Sequence, residues 1–303
     1  MAISRSQLVK ELEPGLNALF GLEYKRYENQ HAEIYATESS DRAFEEEVML
    51  SGFANAQVKG EGSGVSFDEA QETFTARYTH ETVALAFAIT EEAIEDNLYD
   101  RLASRYTKAL ARSMSNAKQV KSVEPLIQGL PTTNNFDSGD GVSLFNTAHP
   151  TVAGTFANTL ATQADLNETS LEQSIIDIAQ MTDERGLRIA ARGVKMIIPS
   201  ELQFTAERLM KSQGRTGTAD NDINAIVSMG MVPQGYRVNN YLTDSDAFYI
   251  LTDIPNGMKM FNRAPLTTAM EGDFDTGNVR YKARERYSFG VSDPRGIFGV
   301  EGA

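Results

Sequence analysis

The chain has 303 residues, 41% of them apolar, enough for one large or two modest globular domains. Its 42 acidic side chains outnumber 28 basic ones, and a net charge of -14 argues against a protein that grips nucleic acid through clustered cations. There is no cysteine for a disulfide or thiolate metal site, no signal-peptide pattern in Met1-Ala-Ile-Ser-Arg-Ser-Gln7, and no apolar window near the roughly 18 residues that span a bilayer.

Between Ser4 and Tyr27, Leu8, Leu12, Leu16, Leu19 and Phe20 recur at helical spacing, and Pro14-Gly15 predicts a bend between two short helices. Asp41 to Leu50 reads as a further helix, with Phe44 and Val48 four apart around an exposed Glu45-Glu46-Glu47 run. From Phe53 to Ile89 the helical stripe vanishes. Glycines loosen Val58 to Val65, and then Thr73, Thr75, Arg77 and Thr79 alternate with Phe74, Ala76, Tyr78 and His80 in the two-residue period of a strand. This segment predicts a long two-stranded arm. Thr90 with Glu91 and Glu92 opens a helix free of glycine and proline as far as Pro125, which would measure about 50 Å. Its large apolar residues, Ile94, Leu98, Leu102, Tyr106, Leu110 and Met114, fall four apart, so the stripe drifts by about 40° per step. Different portions of this spine should therefore meet different partners.

Gly129 to Gly154 is an irregular connection carrying the acidic loop Asp137 to Gly141 and the run Phe145 to Pro150. Asn167 or Ser170 can cap a helix bearing Leu171, Ile175, Ile178 and Ala179, with Ser170 and Gln173 at capping-box spacing and Gly186 at its end. Val194 to Ile198 is a short strand, followed by a second box at Ser200 and Gln203 opening a helix through Met210. Lys211 to Asn224 reads as an exposed loop, and strands follow around Gly235 to Asn239, Ala247 to Thr252 and Met258 to Phe261. A closing strand sets Val279, Tyr281, Ala283, Glu285 and Tyr287 against Arg280, Lys282, Arg284 and Arg286, one face cationic. Salt bridges to acidic neighbours, within or between subunits, account for that face better than nucleic acid does.

Catalytic and metal-binding patterns are missing. His31, His80 and His149 never sit at metal-ligand spacing, and His149 before Pro150 reads as a turn anchor. No G-x-S-x-G, dinucleotide fingerprint or P-loop occurs, and the acidic loops Asp137 to Gly141 and Asp273 to Gly277 both fail the EF-hand template. No catalytic residue, cofactor or metal ligand is expected, and the chain is not expected to be an enzyme. A hydrolase would need a pair of positioned acids, which cannot be singled out here.

In this order the elements make an α+β chain that resembles the Hong Kong 97-type major capsid fold of tailed bacteriophages. Leu144-Phe-Asn-Thr-Ala-His-Pro150, Asn158-Thr-Leu160, Leu171-Glu-Gln173 and Thr218-Ala-Asp-Asn-Asp-Ile-Asn224 look like the Mu-like head-subunit branch. The resemblance implies an N-terminal arm at 1–30, a peripheral domain from 31–52, 84–150 and 276–303, an E-loop at 53–83 that laps a neighbouring subunit, and an axial domain at 151–275. It further implies hexamers and pentamers that close an icosahedral shell around double-stranded DNA without sequence-specific or membrane contact. Separate scaffold, portal or cement proteins would be partners, with assembly in the host cytoplasm and residence in the virion. Inter-subunit contacts are expected at Val58, Lys59, Glu61, Phe67, Phe74, Arg77, Arg215, Asp220, Arg284 and Arg286. Lys59 lies on the arm, but no acid and Asn pattern marks it for crosslinking. An encapsulin-like nanocompartment shell is the alternative with the same fold.

Overall fold

The computed structural model describes residues 5–90, 92–93, 99–133, 135–214, 222–273 and 277–303, with only the backbone described for 5–12 and 99–102. Helix α1 (Arg5–Arg26) is continuous, so the bend expected at Pro14 is corrected. Proline removes a single main-chain donor, at a cost of about 3 kcal/mol. Against that, Leu16 and Phe20 are buried four residues apart, each contributing about 1.5–3 kcal/mol, and Phe20 stacks on Tyr24.

The backbone of the molecule is a sheet in the order β1-β10-β11-β4. It comprises β1 (Ala36–Ser39), β4 (Glu81–Ile89), β10 (Met258–Gly272) and β11 (Val279–Val291). The expected strand at 258–261 thus extends eleven residues further, as the antiparallel partner of the closing strand. Helix α2 (Tyr99–Gln128) lies across this sheet with α1. Thr90 Oγ1 accepts from Ala93 N at 3.4 Å, as a cap would, while 94–98 lie outside the described residues.

The spine's buried face keeps Leu110 and Met114 of the expected four-apart series, while the side chains of Ile94, Leu98 and Leu102 lie outside the described residues. Tyr106 is exposed, and the face runs through Ala103, Thr107, Leu110, Ala111, Met114, Gln119, Ser122, Val123 and Leu126, close to 3.6 residues per turn. Small and polar side chains hold it, because they let helix and sheet approach closely. The partners do change along its length: Leu110 and Met114 pack with Leu16, Phe20 and Tyr281, whereas Val123 and Leu126 join Tyr35, Phe145, Tyr249 and Tyr287.

The helix expected at 41–50 is instead strand β2 (Phe44–Leu50), paired antiparallel with β3 (Glu72–Thr79). Phe44 and Val48 stand on one side in either geometry, so their spacing cannot discriminate, and pairing with β3 decides. A second sheet has the order β12-β9-β7-β8, from β7 (Gly193–Ile198), β8 (Tyr236–Val238), β9 (Phe248–Thr252) and β12 (Ile297–Val300). The chain's last strand therefore belongs to this second sheet and not with β11, while β10 belongs to the first; the expected 151–275 and 276–303 divisions exchange a strand each. The two connections that make the exchange cross at Gly257 and Gly296, where a Cβ on Gly257 would lie 2.7 Å from the Cα of Gly296.

Helices α3 (Glu168–Gln180), α4 (Gln203–Lys211) and α5 (Ala225–Met229) cover the second sheet over Ile178, Met196, Ile198, Phe248 and Phe298. Asn167 caps α3 and Ser170 completes the box from N3; Gln173 takes no part, and the helix ends at Gln180, six residues short of Gly186. At Ser200 the expected box is absent: a 3-10 turn leads into α4, and Ser200 Oγ bonds Glu201. A small hairpin, β5 (His149–Thr151) with β6 (Gly154–Phe156), interrupts the long connection.

Candidate assembly surface

The most outward feature is the arm formed by β2 and β3. Its register runs from Phe44 opposite Thr79 to Leu50 opposite Glu72, so the strands begin nine residues upstream of the expected 53–83 segment. Residues 51–71 join the strands without helix or ladder. Ser51 N donates to Gln71 O at 2.8 Å, Gln71 N returns to Ser51 Oγ at 2.9 Å, and Ala54 N donates to Asp68 Oδ2 at 2.7 Å. Beyond these ties, large apolar side chains face solvent: Val58 is 100% and Phe67 98% exposed, with Phe53 and Val65 above 60%. Such a concentration marks a surface that something else covers.

The arm's root is fixed to the body. Ala76 and Tyr78 are buried on Phe261, and the Tyr78 hydroxyl bonds Ser292 Oγ. His80 is buried between Ser40 Oγ at 2.9 Å and Ser288 Oγ at 3.0 Å. Lys259, buried beneath β2, meets Glu47 at 2.6 Å and Glu38 at 3.2 Å. Burial alone would lower this ammonium, but the two carboxylates reverse the effect and hold it above the ordinary lysine range. Gly139 brings the acidic loop onto β3, where a Cβ would lie 2.9 Å from Thr75 O.

The long ribbon presents the second feature. In β11 the buried and exposed residues alternate as the sequence indicates, with Val279, Tyr281, Ala283, Glu285 and Tyr287 inward and Arg280, Lys282 and Arg284 outward. Arg280 pairs with Asp273. Neither Lys282 nor Arg284 has a carboxylate within ion-pair distance among the described residues. Arg286 is half-buried and donates to His80 O at 3.5 Å. On the inner face Glu285 meets Lys118 at 3.2 Å and accepts from Tyr24. Burial raises that carboxyl above the usual range, against the pull of Lys118.

Two buried polar clusters hold the connection between the sheets. His149, fully buried, bonds Asp140 through Nδ1 at 2.6 Å and Asn158 Oδ1 through Nε2 at 3.0 Å, and so acts as the expected anchor. Burial would raise Asp140, yet hydrogen bonds from His149, Ser138 and Val142 N outweigh it and lower the carboxyl. Arg295 meets Glu184 at 2.6 Å and Asp293 at 3.2 Å while lying over the Phe156 ring. In the acidic loop, Asp137 is spent on the main-chain donors of Gly139 and Gly141. Among the described residues no group of three or more His, Asp or Glu could hold a metal ion, and no helix is long and apolar enough to cross a membrane.

Of the expected contact residues, Val58, Lys59, Glu61 and Phe67 are exposed on the arm's connection, and Phe74 is half-buried on β3. Arg77 is exposed but engaged within its own chain, over the Phe44 ring and 3.8 Å from Glu46. Arg284 and Arg286 stand on β11; Arg215 and Asp220 lie outside the described residues, as does most of the loop Asp273 to Gly277. Sequence reasoning missed Arg185, which donates to Glu69 O and lies 3.6 Å from Asp68, touching the arm to the body. No sequence signal pairs residues so far apart. It also missed the Asp140, His149 and Asn158 constellation, whose even spacing of nine was the available clue.

A family model described as phage capsid protein matches residues 72–300. No curated protein matches by sequence. Among solved structures the fold is shared with the procapsid of bacteriophage JBD30 at 13% identity and TM-score 0.54, over 99% of this chain and 77% of that one. The capsid of Myoviridae phage XM1 aligns at 12% identity and TM-score 0.53 over 89% of each chain. A virus-like particle from Pyrococcus furiosus aligns at 10% identity and TM-score 0.53, over 94% of this chain and 98% of that one.

Proposed function

Because the chain belongs to the phage capsid protein family, we propose that it closes its shell by lapping the arm of each subunit over a neighbour. The chain is a major capsid subunit with a Hong Kong 97-like fold. Within that function our reading is a head of the Mu-like branch, built from hexamers and pentamers around double-stranded DNA. The 1–30 arm, the peripheral segments and the axial segment take the places the resemblance gives them, with the strand exchange described above. Scaffold, portal or cement proteins are separate chains, assembly occurs in the host cytoplasm, and the subunit catalyses nothing. The family match favours a virus shell over an encapsulin-like compartment.

The observation that carries this reading is the arm. Val58, Val65 and Phe67 face water on a segment whose root is welded to the body, so their cover comes from another chain. The expected contacts at Val58, Lys59, Glu61, Phe67 and Phe74 sit where that cover would fall. Replacing residues 54–69 with a short Gly-Ser linker spares Ser51, Gln71 and the buried root. That variant should remain a folded subunit by circular dichroism and form no closed particles in negative-stain micrographs; closed particles at normal yield would refute the proposal.

A further inference from the structure

We propose that the outer face of β11 is the ledge that receives the arm of a second copy, held by ion pairs between its cations and the acids of residues 61–72. This rests on the lapping-arm reading and adds to it the surface the arm meets.

Three cations, Arg280, Lys282 and Arg284, stand on one strand face, repeating about every 6.8 Å. Around Lys282 and Arg284 the strand neighbours on that face are short, Ala84 and Ala86 on β4 and Thr267 and Ala269 on β10, while Arg280 stands between Ala88 and Glu271. Lys282 and Arg284 therefore rise from a weakly apolar floor that is exposed throughout. In a chain with 14 more acids than bases, a row of like charges in which only Arg280 has an ion-pair partner among the described residues is an unbalanced surface. Its complement exists in the same sequence. Glu61, Asp68, Glu69 and Glu72 lie on the exposed connection or at its end, and only the Asp68 side chain has an ion-pair partner among the described residues. The two surfaces are not joined by any ion pair within the chain among the described residues, so a neighbour must bring them together.

DNA would also neutralise the row. The arm fits better because it offers both components: carboxylates for the cations, and Val65 and Phe67 for the alanine floor. A phosphate backbone offers no apolar partner.

Charge exchange tests this. Lys282→Glu with Arg284→Glu should leave the subunit's melting curve unchanged, since both side chains are exposed, and reduce closed particles at least tenfold. Glu61→Lys with Glu69→Lys and Glu72→Lys should do the same. Combining both sets in one chain should restore closure, because every reversed arm then meets a reversed ledge. In this cysteine-free chain, Glu69→Cys with Arg284→Cys should give chain-to-chain disulfides on oxidation of assembled particles. Assembly of the unmodified chain should slow as salt rises from 0.1 to 1 M, where screening contracts from about 10 to about 3 Å.

Closed particles from the ledge variant at normal yield, or folded double-set chains that stay unassembled, overturn the ledge. Closed particles that lose only their DNA overturn it in favour of the genome. If reversal unfolds the subunit, Lys282→Gln with Arg284→Gln is scored by the same criteria. The Gly-Ser arm variant separates the two readings: if it closes shells, the lapping arm fails; if it does not while the ledge variant does, only the ledge fails.

Discussion

Truncating Asn158 to alanine should be among the most damaging single changes in the subunit. Its carboxamide is fully buried and makes four hydrogen bonds: Oδ1 accepts from Asn146 N at 2.9 Å and faces His149 Nε2 at 3.0 Å, while Nδ2 donates to Leu144 O at 2.7 Å and Pro294 O at 3.0 Å. Each buried partner left unsatisfied costs about 1–3 kcal/mol, the donors more than the carbonyls. The four losses are not additive, and water entering the vacated polar space recovers part of them. We expect about 3–5 kcal/mol, measured as a lower urea midpoint of the unassembled subunit with unchanged slope. The loss should also travel, because Asn158 O accepts from Gly299 N at 3.0 Å in β12. Amide exchange at Gly299 should quicken more than at β4. A midpoint shift worth under about 1 kcal/mol would refute the claim that this amide locks the connection to the second sheet.

Gly257→Ala drives a methyl group into the Cα of Gly296, where backbone cannot retreat, and should cost about 2–3 kcal/mol in the same denaturation assay. Lys118→Met leaves Glu285, 2% exposed, without its cation and raises its pKa further. The folded variant then keeps a proton that the unfolded chain releases near pH 4.3, so its stability falls as pH rises; the deficit of about 3 kcal/mol at pH 7 should shrink by pH 4.5. Burial, and after it Lys118, lower His31 to about 4. The unfolded chain takes up this proton first, so stability should fall by up to about 3 kcal/mol as pH drops from 6.5 toward 4, and His31→Phe should flatten that slope in pH-dependent melting.

How much of this was legible depends on whether a residue's role is local. The alternation of Tyr281, Ala283 and Glu285 against Lys282 and Arg284 is fixed by the two-residue period of one strand, and it holds in the structure. Phe44 and Val48 satisfy both periods, and the choice between them rests on β3, whose last residues lie more than thirty positions away. The spine shows a different failure. Reading large apolar residues pointed to Tyr106, while the face that packs uses Ala103, Thr107 and Ala111, where smallness serves close approach. The cationic face was visible in sequence, but that Arg280 has an ion-pair partner, while Lys282 and Arg284 have none among the described residues, depends on where Asp273 falls. The assignment of β12 to the second sheet follows from the crossing at Gly257 and Gly296, which no local pattern encodes.

A shell made of one sequence needs an arm whose direction is set and whose reach can adapt. Tyr78, His80 and Lys259 lock the root by contacts to β10, β11 and the segment after them, so the arm inherits its direction from the rigid sheet. Residues 51–71 carry no ladder, so they can follow small differences in a neighbour's position. Full freedom would make docking costly, since the entropy lost in ordering the backbone opposes association. The ties from Ser51 to Gln71 and from Asp68 to Ala54 N remove part of that freedom before any neighbour arrives. Each docked arm then needs to supply only a modest surplus. On the proposed lapping arrangement each subunit both gives an arm and receives one, so the surplus is repeated around every ring, and a single misplaced subunit can still leave before closure makes it permanent.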